Sequence, residues 1–268
     1  MDWQDAQDVL AGLAAGGRLG LVCDVDGTLS PIVDHPDEAA VTPRNRSLLA
    51  ALLAVLPLTA VISGRSAEDV YRRLGIDGLA TIGNHGLERW QDGQAYPLPA
   101  AAGFRLALEQ ALSEVDELLL KGMLLEDKGV TFSVHYRQSE RPEQVRIQLA
   151  PLLQKIAAAH GLRLTQGRRV FEFRPPVEVD KGTAFRSLVR EYRLDAAFYL
   201  GDDTTDIAAL QAARSLRQVG ECRGYGFAVV SAGTPGAVLD AADFNIQGVE
   251  GVETFLSWLL RACTASST

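Results

Sequence analysis

Val22-Cys23-Asp24-Val25-Asp26-Gly27-Thr28 is an apolar run that ends in two carboxylates two positions apart. In an extended strand residues i and i+2 share a face, so Asp24 and Asp26 leave the strand end side by side and Gly27 turns the chain. Paired carboxylates there can hold a hard cation. A carboxylate can also attack an electrophile, phosphorus included.

The same grammar recurs along the chain. Leu58 to Ile62 is a continuous apolar strand that stops at Ser63-Gly64-Arg65, and Leu79 to Ile82 is another that stops at Gly83-Asn84-His85-Gly86. A strand over 196–200 runs into Gly201-Asp202-Asp203-Thr204-Thr205-Asp206. Helices are expected between them. One opens at Thr42-Pro43, with Thr as N-cap and Pro in the first turn; others cover 66–74, 182–192 and 249–262. Strands that are apolar on both faces and alternate with helices indicate a parallel sheet covered on both sides. Polar residues gather at the carboxyl ends, where open α/β sheets bind ligands.

The pattern changes after residue 103. Thr131-Phe132-Ser133-Val134-His135-Tyr136-Arg137 alternates cleanly, which predicts a sheet with one exposed face. Helices over 104–120 and 142–159 flank it, and a second hairpin is expected from Leu162 to Arg174 with a turn near Gln166-Gly167. The expected organisation is a Rossmann-like α/β core formed by residues 1–103 and 176–268, with an inserted α+β cap over 104–175. Gly103 and Pro175-Pro176 read as the linkers about which the two parts hinge. The loop through His35-Pro36 and the polar tail from Thr264 to Thr268 are expected to lack regular structure.

With 268 residues, 47% apolar and 22% charged, the chain has the composition of an ordinary globular protein. Net charge is −8 and there is no basic stripe, so nucleic acid is not an expected partner. An acidic protein that handles an anion must neutralise it locally. Cys23, Cys222 and Cys263 form no CxxC pair and suit a reducing compartment. The acidic start Met1-Asp2-Trp3-Gln4-Asp5 lacks the positive region of a signal peptide, and no apolar run is long enough to span a bilayer. A cytoplasmic monomer, away from membranes, is the expectation.

Each polar cluster alone has a bland account: a helix cap, a solvated lysine, acids favoured by a helix dipole. Together they make a site. Asp24, Asp26, Ser63, Lys181, Asp202, Asp203 and Asp206 facing one crevice would crowd carboxylates that repel unless a cation is present. Oxygen-only ligands favour Mg²⁺ over zinc, and Mg²⁺ leaves positions for water and phosphate. Metal-assisted phosphoryl transfer to Asp24 follows. An EF-hand is excluded: its sixth position would be Leu29 and its twelfth His35. Neither a GxxxxGK[ST] loop nor a GxSxG elbow occurs.

Asp24-Val-Asp-Gly-Thr, Ser63-Gly-Arg, Lys181 and Gly201-Asp-Asp-Thr-Thr-Asp resemble, in order, the four motifs of haloacid-dehalogenase-like phosphatases with a type-2 cap. Asp24-Val-Asp-Gly-Thr-Leu-Ser-Pro-Ile-Val is similar to the opening of the trehalose-6-phosphate phosphatase family. So are Gly83-Asn-His-Gly, Leu125-Glu-Asp-Lys, Ser133-Val-His-Tyr-Arg and Glu172-Phe-Arg-Pro. One departure is Val179 where the family usually carries tryptophan before Asp-Lys-Gly.

This resemblance implies a sugar phosphate as substrate and Mg²⁺ as cofactor. It implies Asp24 as nucleophile, Asp26 as general acid and base, Ser63 as a donor to the phosphoryl group, and Lys181 as its countercharge. The metal is implied on the Asp24 carboxylate, the Asp26 main-chain carbonyl and Asp202, with Asp203 and Asp206 orienting waters or Lys181. Gly27, Thr28, Arg65, Asn84, His85 and Gly86 are implied near the phosphate, and Glu126, Lys128, Arg137 and Glu172 near the sugar. Three rivals stand beside this expectation. One is a phosphatase for sucrose 6-phosphate, mannosyl-3-phosphoglycerate or a hexose phosphate; another is a phosphomutase; the third is a non-catalytic regulatory module that binds sugar phosphate.

Overall fold

The computed structural model describes residues 1–33, 38–167 and 169–265. His35 and Pro36 of the expected loop, Arg168 of the expected hairpin and the last three residues of the tail lie outside the described residues. The strands, in chain order, are β1 (Leu19–Cys23), β2 (Leu58–Ile62), β3 (Ala80–Gly83), β4 (Glu88–Gln91), β5 (Gln94–Pro97), β6 (Leu124–Asp127), β7 (Phe132–His135), β8 (Arg163–Gly167), β9 (Val170–Arg174), β10 (Ala196–Gly201), β11 (Arg223–Val230) and β12 (Phe244–Gln247).

The chain divides into two compact units, residues 1–95 with 179–268, and residues 96–178. These divisions differ from those expected at 103/104 and 175/176. Gly103 is not extended linker: it has right-handed helical backbone (φ −70°, ψ −10°) and follows the short helix Pro99–Ala102.

One sheet, in the order β12-β11-β10-β1-β2-β3-β4-β5, belongs to the larger unit except for Tyr96 and Pro97 of β5. From β12 to β3 the neighbours run parallel, and β4 joins β3 antiparallel. Every residue of β1, β2 and β10 is buried, which is why these segments read as unbroken apolar runs. Successive residues pack on opposite layers. Leu21, Val61, Phe198 and Leu200 face Leu49, Leu52, Phe255 and Leu256 on one side. Val22, Ala60, Ile62 and Tyr199 face Phe185, Leu188, Leu210 and Ala213 on the other.

Chain order leaves β1 in two directions, through β2 and β3 on one side and β10 and β11 on the other. The crevice of the sheet therefore opens at the carboxyl end of β1, where Asp24 stands.

Helix starts follow the sequence. Thr42 accepts from the Asn45 N–H at 3.1 Å with Pro43 in the first turn, and Ser66 accepts from the Asp69 N–H at 3.2 Å to open the helix Ala67–Leu74. Two elements differ from expectation. β4 and β5 form an antiparallel edge for which the sequence reading assigns no element. The C-terminal helix spans Gly248–Ala265 and takes in Thr264, whose hydroxyl donates to the Leu260 carbonyl at 3.0 Å. Among the described residues no helix is long and apolar enough to cross a membrane.

The smaller unit is an antiparallel sheet in the order β6-β7-β9-β8. Phe132, Val134, Phe171 and Phe173 alternate onto one face. There they pack with Leu108, Ala111 and Val115 of the helix Arg105–Asp116 and with Leu149, Leu153 and Ala157 of the helix Pro142–Ala159. The Phe132 and Phe173 rings stack with centroids 4.4 Å apart. Phe173→Ala would leave a cavity in this core and should cost about 3–5 kcal/mol. Urea unfolding followed by circular dichroism should show an earlier transition for the variant; an unmoved curve would contradict this packing.

Candidate active site

Asp24 directly follows β1, and its N–H still donates to the Leu200 carbonyl at 2.8 Å, so its position is fixed by the sheet itself. The chain then turns sharply. The Val25 carbonyl accepts from the Leu29 and Ser30 N–H groups at 2.9 and 3.0 Å, and the Gly27 N–H donates to the Ser30 carbonyl at 2.8 Å. The Gly27 N–H, expected to serve an anion, is thus committed within the turn. Gly27 has φ +85°, and a Cβ there would sit 2.1 Å from Asp202 Oδ2, so only glycine lets this turn pass the carboxylate after β10.

Lys181 is the first residue of the helix Lys181–Glu191. Asp180 caps that helix by accepting from the Thr183 N–H at 2.8 Å, and the Thr183 hydroxyl accepts the Asp180 N–H at 2.9 Å. This capping box fixes the lysine stem. Its Nζ donates to Asp24 Oδ1 at 2.6 Å and Asp206 Oδ1 at 2.7 Å, with the lysine side chain 3% exposed. Asp206 Oδ1 also accepts from the Tyr199 hydroxyl at 2.6 Å, and Oδ2 accepts the N–H groups of Asp202 and Asp203 at 3.1 and 3.0 Å. Asp206 thus joins Lys181, Tyr199 and the main chain of Asp202 and Asp203. Asp203 caps the short helical turn Thr204–Asp206 and is itself exposed.

Asp24, Asp202 and Asp206 each present a carboxylate oxygen within 4.8 Å of the others, and all three residues are buried. One lysine faces this excess of negative charge. Burial works to lower the Lys181 pKa, but Asp206 and Asp24 outweigh it and keep the ammonium charged. Burial above all, against the pull of Lys181 and with the push of Asp206 and Asp202, raises Asp24 well above the usual carboxylate range. Asp202 is pushed up to about 7 by burial and by Asp206. Burial also holds the Tyr199 phenol well above its ordinary value, so it keeps the proton it donates.

Asp202 Oδ1 is buried with no hydrogen-bond partner among the described residues. A buried hard-oxygen set with surplus charge and an orphaned oxygen fits Mg²⁺. Asp24 and Asp202 are the carboxylates able to hold it, because both Asp206 oxygens are already engaged.

The remaining positions follow from β2 and β3, the next strands over. The Ser63 N–H donates to the Ile82 carbonyl at 3.0 Å, and the Ser63 hydroxyl accepts from the Arg65 N–H at 3.2 Å. The loop after β3 is zipped to it: the Asn84 N–H donates to the Arg65 carbonyl at 2.8 Å and the His85 N–H to the Ser63 carbonyl at 2.9 Å. Asn84 and His85 both adopt left-handed backbone, φ +48° and +57°. Such strain is retained where surrounding structure over-determines it. A Cβ on Gly64 would lie 2.6 Å from the His85 ring, so the two loops touch directly.

Asp26 turns its carboxylate to Arg65, Nε–Oδ2 2.6 Å and Nη2–Oδ1 2.8 Å. Thr28 is fully buried, and its hydroxyl has no partner among the described residues. Gly86 is buried beside Val179.

In the smaller unit Glu126, Ser133, Glu172 and Thr165 lie in one cross-strand row, opposite the aromatic face. Lys128 Nζ donates to Glu172 Oε1 at 3.4 Å and lies 3.9 Å from Glu126 Oε2, which is 2.7 Å from His135 Nε2. Arg137 lies two residues beyond β7.

Sequence reasoning missed Tyr199, Glu88 and His135. Glu88 Oε1 accepts from the Ala67 N–H at 2.6 Å and Asn84 Nδ2 at 2.9 Å, and so holds the Asn84-His85-Gly86 loop. A tyrosine inside an apolar strand was a usable signal, because a buried phenol needs a partner.

An open sheet that runs parallel from β12 to β3, an acidic pair after β1 and a lysine-bridged acidic cluster define a protein of the haloacid-dehalogenase-like class. A family model described as trehalose-phosphatase matches residues 22–231. The trehalose-phosphate phosphatase of Mycobacterium marinum is 37% identical over 203 residues, which is 73% of this chain and 51% of that protein. Two solved structures share the fold. A trehalose-6-phosphate phosphatase related protein matches with TM-score 0.77 and 24% identity over 92% of this chain and 99% of its own. The C-terminal domain of the Candida albicans trehalose-6-phosphate phosphatase matches with TM-score 0.76 and 21% identity over 95% of this chain and 96% of its own. The chain belongs to the trehalose-phosphatase family. It spans about half the length of the curated relatives it matches.

The site itself makes a pH prediction. Metal-free Asp202 holds its proton below about 7, and Mg²⁺ needs the carboxylate. Binding should therefore release a proton near neutrality, and apparent Mg²⁺ affinity should fall as pH drops through that range. Calorimetric titration in two buffers of different ionisation enthalpy measures this; equal heats would contradict it.

Proposed function

We propose that this chain hydrolyses trehalose 6-phosphate to trehalose and phosphate, with Mg²⁺ as cofactor and Asp24 as the transient phosphoryl acceptor. The observation that carries this reading is the buried Lys181 ammonium shared by Asp24 and Asp206 beside Asp202. An Asp24 oxygen attacks phosphorus while the bond from phosphorus to the sugar oxygen breaks. The departing oxygen takes its proton from Asp26. Asp26, now a base, removes a proton from water, whose oxygen attacks the aspartyl-phosphate; the Asp24 oxygen leaves and phosphate is freed.

Lys181 offsets the charge that builds on the phosphoryl oxygens, and the Ser63 hydroxyl donates to one of them. Thr28, Gly27, Asn84, His85 and Gly86 shape the phosphate end. Asp24, Asp202 and the Asp26 main-chain carbonyl would hold Mg²⁺, which when bound would supply electrostatic stabilisation to the transferring group.

Glu126, Lys128 and Glu172 bind sugar hydroxyls, with Arg137 at their margin. Their grouping on the polar face of the small sheet supports this, since a site built to hydrogen-bond hydroxyls rejects sugars that leave it unpaired. The same reading extends to a cytoplasmic monomer that binds no nucleic acid. The net charge of −8 and the absence of any CxxC pair support it.

Phosphate release from trehalose 6-phosphate with Mg²⁺ is the decisive measurement. Asp24→Asn and EDTA should each abolish it. Release from an aryl phosphate alone would retain the chemistry and discard the sugar; release from neither would favour a silent binding module. Glu172→Gln should raise KM for trehalose 6-phosphate by about ten- to a hundredfold, the loss of one charged hydrogen bond. An unchanged KM would remove Glu172 from sugar recognition.

A further inference from the structure

We infer that Arg65 is the positioning residue for the Asp26 carboxylate and is itself seated by Asp69. The inference deepens the phosphatase reading and rests on it. Asp26 sits on the tight turn after β1 with its side chain 38% exposed, so packing alone does not fix its direction. Arg65 forks onto both of its oxygens, Nε to Oδ2 at 2.6 Å and Nη2 to Oδ1 at 2.8 Å. The third guanidinium nitrogen, Nη1, donates to Asp69 Oδ2 at 3.0 Å.

Asp69 Oδ2 also accepts from Arg73 Nε at 2.8 Å, and Arg73 Nη1 bonds the Ala39 carbonyl. The result is a row of alternating charge, Asp26–Arg65–Asp69–Arg73, rooted in the helix Ala67–Leu74. The Arg65 backbone is pinned as well, by the Ser63 hydroxyl and the Asn84 N–H. With all three nitrogens on carboxylates and its side chain only 13% exposed, Arg65 is built to aim Asp26 rather than to clamp phosphate. A planar fork fixes both position and plane of a carboxylate, which a lysine does not.

The role makes a leaving-group prediction. A sugar oxygen must be protonated as it departs, whereas p-nitrophenolate leaves unaided. kcat/KM should be measured for trehalose 6-phosphate and p-nitrophenyl phosphate in wild type, Asp26→Asn, Arg65→Met and Asp69→Asn. Glucose 6-phosphate stands in if the disaccharide is not cleaved. Arg65→Met should match Asp26→Asn, losing about a hundredfold on the sugar phosphate with little loss on the aryl ester. Asp69→Asn should lose less, in the same direction, and added guanidinium should restore Arg65→Met on the sugar phosphate.

Equal loss on both substrates, or no loss on either, overturns the inference. Should Arg65→Met not fold, Asp69→Asn and Arg65→Lys carry the same comparison. Wild type inactive on every ester would instead overturn the phosphatase reading itself.

Discussion

The ammonium of Lys181, buried between Asp24 and Asp206, is the contact on which the rest of the site depends. An ammonium with its side chain 3% exposed has lost nearly all its water, and only close carboxylates offset that loss. The two it touches come from different places, one from the turn after β1 and one from beyond β10. Removing either partner of such a pair leaves an uncompensated buried charge, at about 3–5 kcal/mol. The contact therefore ties the carboxyl ends of two central strands to the start of the helix Lys181–Glu191. Burial and Asp206 disfavour ionisation of Asp24 and Asp202, and a bound cation would restore it.

Backbone architecture explains why so few side chains suffice. Strand order branches at β1, so its carboxyl end is the natural crevice of the sheet. The neighbouring loops are bonded to one another rather than left to solvent. Asn84 and His85 accept left-handed backbone because their N–H groups reach Arg65 and Ser63 and because Glu88 holds Asn84 from behind. Gly27 accepts a positive φ so that its turn can pass within van der Waals reach of Asp202. Preorganisation of this kind places charges before substrate arrives, which is where electrostatic catalysis gains most.

Much of this was legible in the sequence. The parallel strands announced themselves as unbroken apolar runs, Thr42-Pro43 as a helix start, and the acidic pairs as strand ends. The small sheet was legible in the alternation of Phe132, Val134, Phe171 and Phe173 with polar residues. The edge strands β4 and β5 were not read, although Asp92-Gly93 between them has positive φ at both positions, the signature of a tight hairpin. Half-buried polar edge strands lack the apolar run that marked the others. The tie Asp26–Arg65 was invisible for another reason. It joins segments 39 residues apart, and charge pairing between them is settled only by the fold.

The buried acidic cluster and the polar row of the small sheet rest on different physical supports in this chain. The Asp24, Lys181, Asp202 and Asp206 cluster stands at the end of a parallel sheet buried on both faces, where neighbouring residues constrain it. Glu126, Lys128, Ser133 and Glu172 stand on an antiparallel sheet with one aromatic face and one polar face. On such a sheet alternate residues are free to change without disturbing the core, because period-two side chains report to only one face. Substitution along the polar row can therefore alter its charge and hydrogen bonding while Phe132 and Phe173 keep the unit folded. The buried sheet offers no comparable freedom: a change at Lys181 or Asp206 alters charge balance, packing and loop geometry together.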